Sequence, residues 1–372
     1  MPAEYEVHLL EAARDNLLDV VDDFETLSYA QRVNEVGAFG LSVWADSFDI
    51  TFAHLDGRIV VWRKPQGGRR YIDFAGLIRG VTRQYRGGKQ QVTLSGVGYN
   101  DLLRRRVVAY AATTSGARKA DQADDMMKVV VRENLGASAL AGRDLSGWGF
   151  TVQANVSAGT IVRGDFAYQV VLDTLQGISD ASRQTPATQS FFGIVPINSG
   201  WEKQFRTNVP QWGQDHSHPS GEHGPVVFSQ EYENMANPVL EWDRHDEVTV
   251  VYGGGQGEDL AKPVIEVADA AREGESPLNR CEAYHSITSG AGTTLELIDG
   301  ARAGLDEGRG KRRFTFDVVE IPSTLYGLHW GFGDLVTAVY AGEQWDLHVA
   351  AVEVTVEGKV ETITPRFEEF AG

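Results

Sequence analysis

Residues 58–98 read RIVVWRKPQGGRRYIDFAGLIRGVTRQYRGGKQQVTLSGVG, and this stretch decides the fold class. Arg58–Lys64 is a short apolar run that ends in the turn Pro65–Gly68, and Tyr71–Arg79 follows it. Both read as strands, because β-branched and aromatic residues between Gly and Pro punctuation fit a pleated surface. Val81, Arg83 and Tyr85 then share one face. Arg86-Gly87-Gly88-Lys89 turns the chain, and Val92 and Leu94 return. A Gly-Gly corner admits positive φ without a Cβ penalty, so the pattern predicts a hairpin.

The same grammar extends in both directions. Tyr5, Val7 and Leu9 alternate with other residues, as do Phe39, Leu41 and Val43; period two is the mark of a half-buried strand. Strand after strand with short turns suggests a barrel or a sandwich over residues 1–110. Residues 111–245 differ, and read as a mixed α/β middle region with long loops. Asp121–Asp125 offers helix N-caps ahead of an apolar face of Met126, Met127, Val130 and Val131 that ends near Leu135-Gly136. A second helix is predicted after Asp165, on Phe166, Val170, Val171, Leu175 and Ile178. Residues 186–224 read as a surface loop or a two-stranded excursion. From Asp246 to the end, strands return: Val248–Tyr252, Arg313–Val319, Trp330–Tyr340, Trp345–Val354 and Lys359–Pro365. One helix interrupts them, with Leu297, Ile298, Ala301 and Leu305 on its apolar face. Residues 246–372 are therefore an α+β region that ends in strands.

The 372 residues are 42% hydrophobic and 23% charged, enough apolar material for a packed core throughout. The net charge of −18 makes a poor wrapper of nucleic acid, which needs clustered cations. The charge is uneven. Arg58 to Arg106 carries twelve Lys/Arg against Asp73 and Asp101, a local +10, so the remainder carries −28. A basic region on an acidic chain is either a solvated sheet face or a surface that docks on an acidic neighbour or another copy. The single Cys281 excludes an internal disulfide framework and a multi-cysteine zinc site. No secretory signal is read in the first sixteen residues, and no segment approaches 18 uninterrupted apolar residues, so neither ordinary export nor stable membrane insertion is expected.

Motifs for chemistry fail one after another. Gly253–Gly257 (GGGQG) follows a strand, but Leu260 stands where a dinucleotide fingerprint needs its third glycine, and Pro263 follows soon after. His216, His218 and His223, with Asp215 and Glu222, have ligand types that suit zinc or nickel, but their spacing matches no helical metal motif. They are weak metal candidates against a polar interface loop. Adjacent acids such as Asp22-Asp23, Asp124-Asp125 and Glu368-Glu369 point apart and make poor glycosidase pairs. No nucleophile elbow, HExxH or Walker A sequence is present, and Cys281 lacks a catalytic context. No catalytic residue and no cofactor is assigned.

Five stretches in order carry a resemblance. They are Arg32–Gly37 (RVNEVG) with the strand FGLSV, Gly98–Arg106 (GYNDLLRRR), Val250–Glu258 (VVYGGGQGE), Leu295–Leu305, and Tyr326–Val336 (YGLHWGFGDLV). Together they resemble the tail-hub, or tail-associated, structural proteins of siphophages of high-GC Gram-positive hosts. Two departures stand out: Cys281-Glu282 follows Arg280 where the family has a second Arg, and the His-containing loop at 211–224 has no counterpart.

The resemblance implies a β-rich α+β multidomain chain of the baseplate-hub type. Two tail-tube-like β-barrel domains, in 1–110 and 246–372, would flank helical and irregular insertions. It also implies a non-enzymatic virion protein of the tail tip or baseplate, forming a homotrimeric ring around the DNA exit channel. The partners it implies are other copies of the chain, the distal tail protein ring, the tape measure protein, and tail fibre or receptor-binding proteins, with DNA passing only transiently. Arg83, Arg86, Arg104, Arg105 and Arg106 are the assembly-interface candidates. A tail-tip cell-wall hydrolase and a carbohydrate-binding receptor module, the latter suggested by eight Trp, are the alternatives.

Overall fold

The computed structural model describes residues 3–12, 16–110, 116–183, 186–219, 221–257, 261–287 and 293–369. Glu258 and Leu260, named in the motifs above, and residue 220 of the His-containing loop lie outside them, as do residues 111–115, which follow the boundary drawn at 110/111.

The first segment forms β1 (Glu4–Leu10), β2 (Leu17–Val21), β3 (Thr26–Arg32), β4 (Ala38–Trp44), β5 (Arg58–Lys64), β6 (Tyr71–Arg86) and β7 (Lys89–Gly98). The middle holds α1 (Asp101–Arg104), β8 (Ala117–Gln122), α2 (Ala123–Asn134), β9 (Phe150–Val152), β10 (Ile161–Phe166), α3 (Val171–Ser182), β11 (Phe191–Ile197), β12 (Glu202–Asn208), β13 (Val227–Ser229) and β14 (Met235–Asp243). The last segment forms β15 (Val250–Gly254), β16 (Val264–Ala268), α4 (Ala270–Glu273), β17 (Glu282–Ser286), α5 (Thr294–Glu307), β18 (Lys311–Val318), β19 (Leu335–Tyr340), β20 (Glu343–Glu357) and β21 (Val360–Glu369).

One 11-stranded sheet unites the two ends of the chain, in the order β13-β19-β20-β3-β4-β7-β6-β5-β1-β2 with β21 branching from β20. The seam is β3–β20, antiparallel, with Tyr29 opposite Val354 and Leu27 opposite Val356. The sheet therefore crosses the division drawn in chain order. Among the described residues no backbone pairing joins β2 back to β13. Side chains bridge the sheet instead: Tyr5 of β1 and Arg63 of β5 both meet Glu361 of β21.

β5 shows why the opening stretch is decisive. Ile59 and Val61 join the core that β18, β20 and β21 also line, while Val60 joins a second core with α2, α3 and β12. All three are fully buried. The sequence RIVVWRK reads as a continuous apolar run because both faces of the strand are covered. Burial of each such side chain contributes about 1.5–3 kcal/mol.

The predicted helices form with shifted ends. α2 packs Met126, Met127, Val130 and Val131 into the second core, as its periodicity predicts. The helix predicted after Asp165 begins at Val171; Asp165 and Phe166 instead end β10, paired with Arg118 and Ala117. Residues 186–224 contain the hairpin β11–β12, the second of the two readings, with Phe192 and Phe205 buried. Gly333 and Asp334, expected inside a strand, form the turn that precedes β19. α5 buries Leu297, Ala301 and Leu305 and opens with a capping box of Thr293 and Glu296.

Candidate assembly interface

β6 runs for 16 residues, but β5 pairs only with its first half, from Tyr71 to Leu77. The second half therefore runs past β5 as a sheet-edge arm paired with β7, which β4 backs as far as Gln91, and Thr82–Gln90 is exposed throughout. Gly87 and Gly88 close it at φ of 59° and 82°, the left-handed corner the Gly-Gly pair predicts. Tyr85 is 80% exposed at its tip. Arg83 lies on the same arm, Arg86 approaches Glu25 at 3.9 Å, and the Lys89 ammonium stands 6.0 Å from the Trp44 ring. Arginine and tyrosine on a projecting element match the composition of interface hot spots.

The three arginines of the GYNDLLRRR stretch are placed differently. Arg104 and Arg105 both donate to the buried carboxylate of Asp101, and Arg105 also lies 3.5 Å from Asp56. The Arg106 carbonyl accepts from the Val171 amide, so that residue anchors the start of α3. Arg83 and Arg86 thus stand on the exposed arm, Arg86 with Glu25 at the edge of ion-pair range, whereas Arg104 and Arg105 are half committed to pairs within the chain.

The His loop folds against β19. His216 Nδ1 bonds the Gly224 carbonyl at 2.7 Å, its ring centroid lies 5.5 Å from that of His223, and its Nε2 is 3.7 Å from Asp334. His218 is held through its backbone instead, its amide donating to Thr337 and its carbonyl accepting from Gln344. Among the described residues no group of three or more His, Cys, Asp or Glu converges as a metal site. Burial pushes the Asp334 carboxyl above its ordinary range, against the bonds it accepts from Gln214 and Gly331 and the pull of His216.

Sequence reading missed the buried polar network that joins the ends of the chain. Asp73 on β6 accepts from Tyr29 at 2.5 Å, Tyr326 at 2.9 Å and Gln31 at 3.0 Å. Arg63 on β5 donates to Glu361, Tyr5 and the Tyr326 carbonyl at 2.9, 2.9 and 2.8 Å. Burial raises the Asp73 carboxyl and the phenols of Tyr5, Tyr29 and Tyr326. Burial pulls Arg63 down, but Tyr5, Tyr71, Glu361 and Asp73 together hold it up. Gly327 turns the chain here at φ 71°, where a Cβ would run into the Tyr71 hydroxyl. The YGLHWG stretch of the resemblance therefore packs a joint. Its signal in sequence was an acid and an arginine inside apolar strands, which need partners when buried.

No helix among the described residues is long and apolar enough to cross a membrane. Residues 7–367 match the model of the family described as Siphovirus ReqiPepy6 Gp37-like protein. Comparison with curated protein sequences finds no match. Among solved structures, the chain is similar to the 43 kDa tail protein of prophage MuSo2 from Shewanella oneidensis, with 11% identity, a TM-score of 0.58, and coverage of 98% of both chains. A tail protein from Neisseria meningitidis MC58 gives 13% identity and a TM-score of 0.55, over 99% of this chain and 97% of that one. Prophage tail protein gp18 from Listeria monocytogenes EGD-e gives 11% and 0.55, over 97% and 94%. At these identities the likeness is one of fold.

Proposed function

The chain belongs to the Siphovirus ReqiPepy6 Gp37-like family, and from that premise we propose that it is the structural hub of a phage tail tip or baseplate. Three copies form a ring that joins the tail tube and the distal tail ring, with the tape measure protein, to fibre or receptor-binding components. The observation that carries this reading is the arm at Thr82–Gln90. It is basic, carries an exposed tyrosine, and belongs to a chain whose other residues carry −21. A surface of that kind fits a heterologous contact, in which a patch on one copy meets a different patch on the next, and such contacts close into rings.

In this reading the 11-stranded sheet supplies two tail-tube-like units, β1–β7 and the β19–β21 group, fused at the β3–β20 seam. Three chains would then present six units around one axis. Arg83 and Arg86 make the contact between copies, and Arg104–Arg106 lie at its margin or against the tube. The acidic remainder lines a channel that repels phosphate, so DNA passes without being held. Electron microscopy of the purified protein tests the arrangement. Three-fold rings with an open centre are expected; six-fold rings or dispersed single copies would overturn it.

A further inference from the structure

The start of α2, the segment after β9 and the end of β12 meet around a cavity of about 340 Å³, lined by Asp124, Gln153, Thr207 and Asn208 among others. One wall belongs to a buried ionic triad. Lys128 Nζ stands 3.0 Å from Asp124 Oδ2 and 3.3 Å from Asp125 Oδ1, and the side chains of Lys128, Asp124 and Asp125 are 0%, 2% and 4% exposed. Asp125 is fully engaged, since it also accepts from the Val156 amide and the Ser157 hydroxyl, each at 3.0 Å. Asp124 is not: its Oδ1 is buried and has no hydrogen-bond partner among the described residues.

Two carboxylates against one ammonium leave a surplus of one negative charge. The next cation along α2, Arg132, is spent on the Gln153 carbonyl and on Asn155. A buried charge without its counter-ion is costly. Burial accordingly raises the Asp124 carboxyl, against the pull of Lys128 and of the Ala158 amide. The opposite wall repeats the pattern. Thr207 Oγ1 is a second buried polar atom of the cavity without a partner. The Thr207 amide donates to Gln153 Oε1 at 3.1 Å, and Asn208 Nδ2 donates to the Trp212 carbonyl, which leaves the Asn208 Oδ1 as a further acceptor. A carboxylate and two neutral oxygens around one space suit a planar cation with several N–H donors, which is a guanidinium.

We propose that this cavity is a guanidinium socket and that its occupant is Arg83 of a neighbouring copy. Arg83 stands exposed on the arm and pairs with no acid within 4 Å among the described residues, whereas Arg86 already approaches Glu25. A cation lacking its anion and an anion lacking its cation, on separate parts of one chain, make a heterologous pair in which each copy gives one and receives the other. The occupant rests on the ring reading of the arm; the socket does not.

The socket is tested on the Arg83→Glu/Arg86→Glu chain, in which no arm competes for the cavity. Saturation-transfer NMR with ethylguanidinium should show binding to that chain and none once Asp124→Asn is added. Ethylguanidinium that fails to bind, or binds both chains equally, would overturn the socket. The occupant is tested by native mass spectrometry across a dilution series. Asp124→Asn and Arg83→Gln should each weaken trimer formation at least tenfold, and the two together no more than either alone. Effects that multiply, or an Asp124→Asn chain that assembles like wild type, would overturn the occupant. A wild-type chain that never assembles would overturn the occupant together with the ring, and the ethylguanidinium result would still decide the socket. Thr207→Val, which removes the second unpartnered atom, takes the place of Asp124→Asn in both tests should that variant fail to fold.

Discussion

Arg63 and Glu361 lie 298 residues apart in sequence and meet at 2.8 Å, with side chains 2% and 7% exposed. The pair fastens the first strands to the last. A buried ion pair contributes little net stability over a well-packed apolar pair, yet losing one member leaves a stranded charge. That asymmetry governs the first prediction.

Glu361→Ala should destabilise the fold by about 3–5 kcal/mol, because Arg63 keeps its charge in a dry site. Arg63→Met with Glu361→Leu should recover most of the loss. Urea melts of the two variants against wild type check this. A single variant within about 1 kcal/mol of wild type would show that water reaches the pair.

His348 on β20 meets the Phe191 ring in a tilted contact, centroids 4.9 Å apart, and is 4% exposed. Burial lowers its pKa to about 4 from an ordinary 6.5. The unfolded chain therefore binds a proton that the folded chain refuses between those values. The stability this group contributes is complete above about pH 6.5 and is lost as pH falls toward 4. At about 1.4 kcal/mol per pKa unit the window is worth roughly 3 kcal/mol. His348→Phe should flatten the stability profile between pH 4 and 6.5; melts across that range test it, and an unchanged slope would assign the loss to other groups.

Gly96 on β7 has no room for a side chain: a Cβ would meet the Leu77 carbonyl and the Phe39 ring. Gly96→Val should cost about 1–3 kcal/mol through overpacking and shift the β6–β7 register. Gly87→Asn at the tip, where nothing lies within 4 Å of a Cβ, should be near neutral. Thermal denaturation of both separates packing from turn geometry.

Arg83→Glu with Arg86→Glu should leave the melting temperature within about 2 °C of wild type, since surface changes away from packed groups shift stability little. The same variant should abolish self-association. Sedimentation velocity reads both copy number and salt dependence, and unchanged assembly would remove the arm from the interface.

The strands of 58–98 were legible because Gly and Pro mark their ends and apolar residues fill between. The α2 face was legible because Met126, Met127, Val130 and Val131 keep helical spacing. The start of α3 was not: Phe166 continues the apolar spacing backward, yet pairing of Asp165 and Phe166 with β8 draws them into β10. Nor was the β3–β20 seam, since periodicity reports which face is buried and not which strand lies beside it. The buried network was illegible for the same reason. Asp73 and Arg63 were countable in the basic region, but their partners Tyr326 and Glu361 come from the far end of the chain. Of the candidate arginines, only their presence was readable; Asp101 beneath Arg104 and Arg105 follows from the turn of α1.

The hub reading is tested most directly by the native mass of the purified chain under gentle ionisation. Three times 40.8 kDa is expected, falling to a single copy in the Arg83→Glu/Arg86→Glu variant. A wild-type chain that stays at 40.8 kDa at every concentration, or that assembles in sixes, would contradict it.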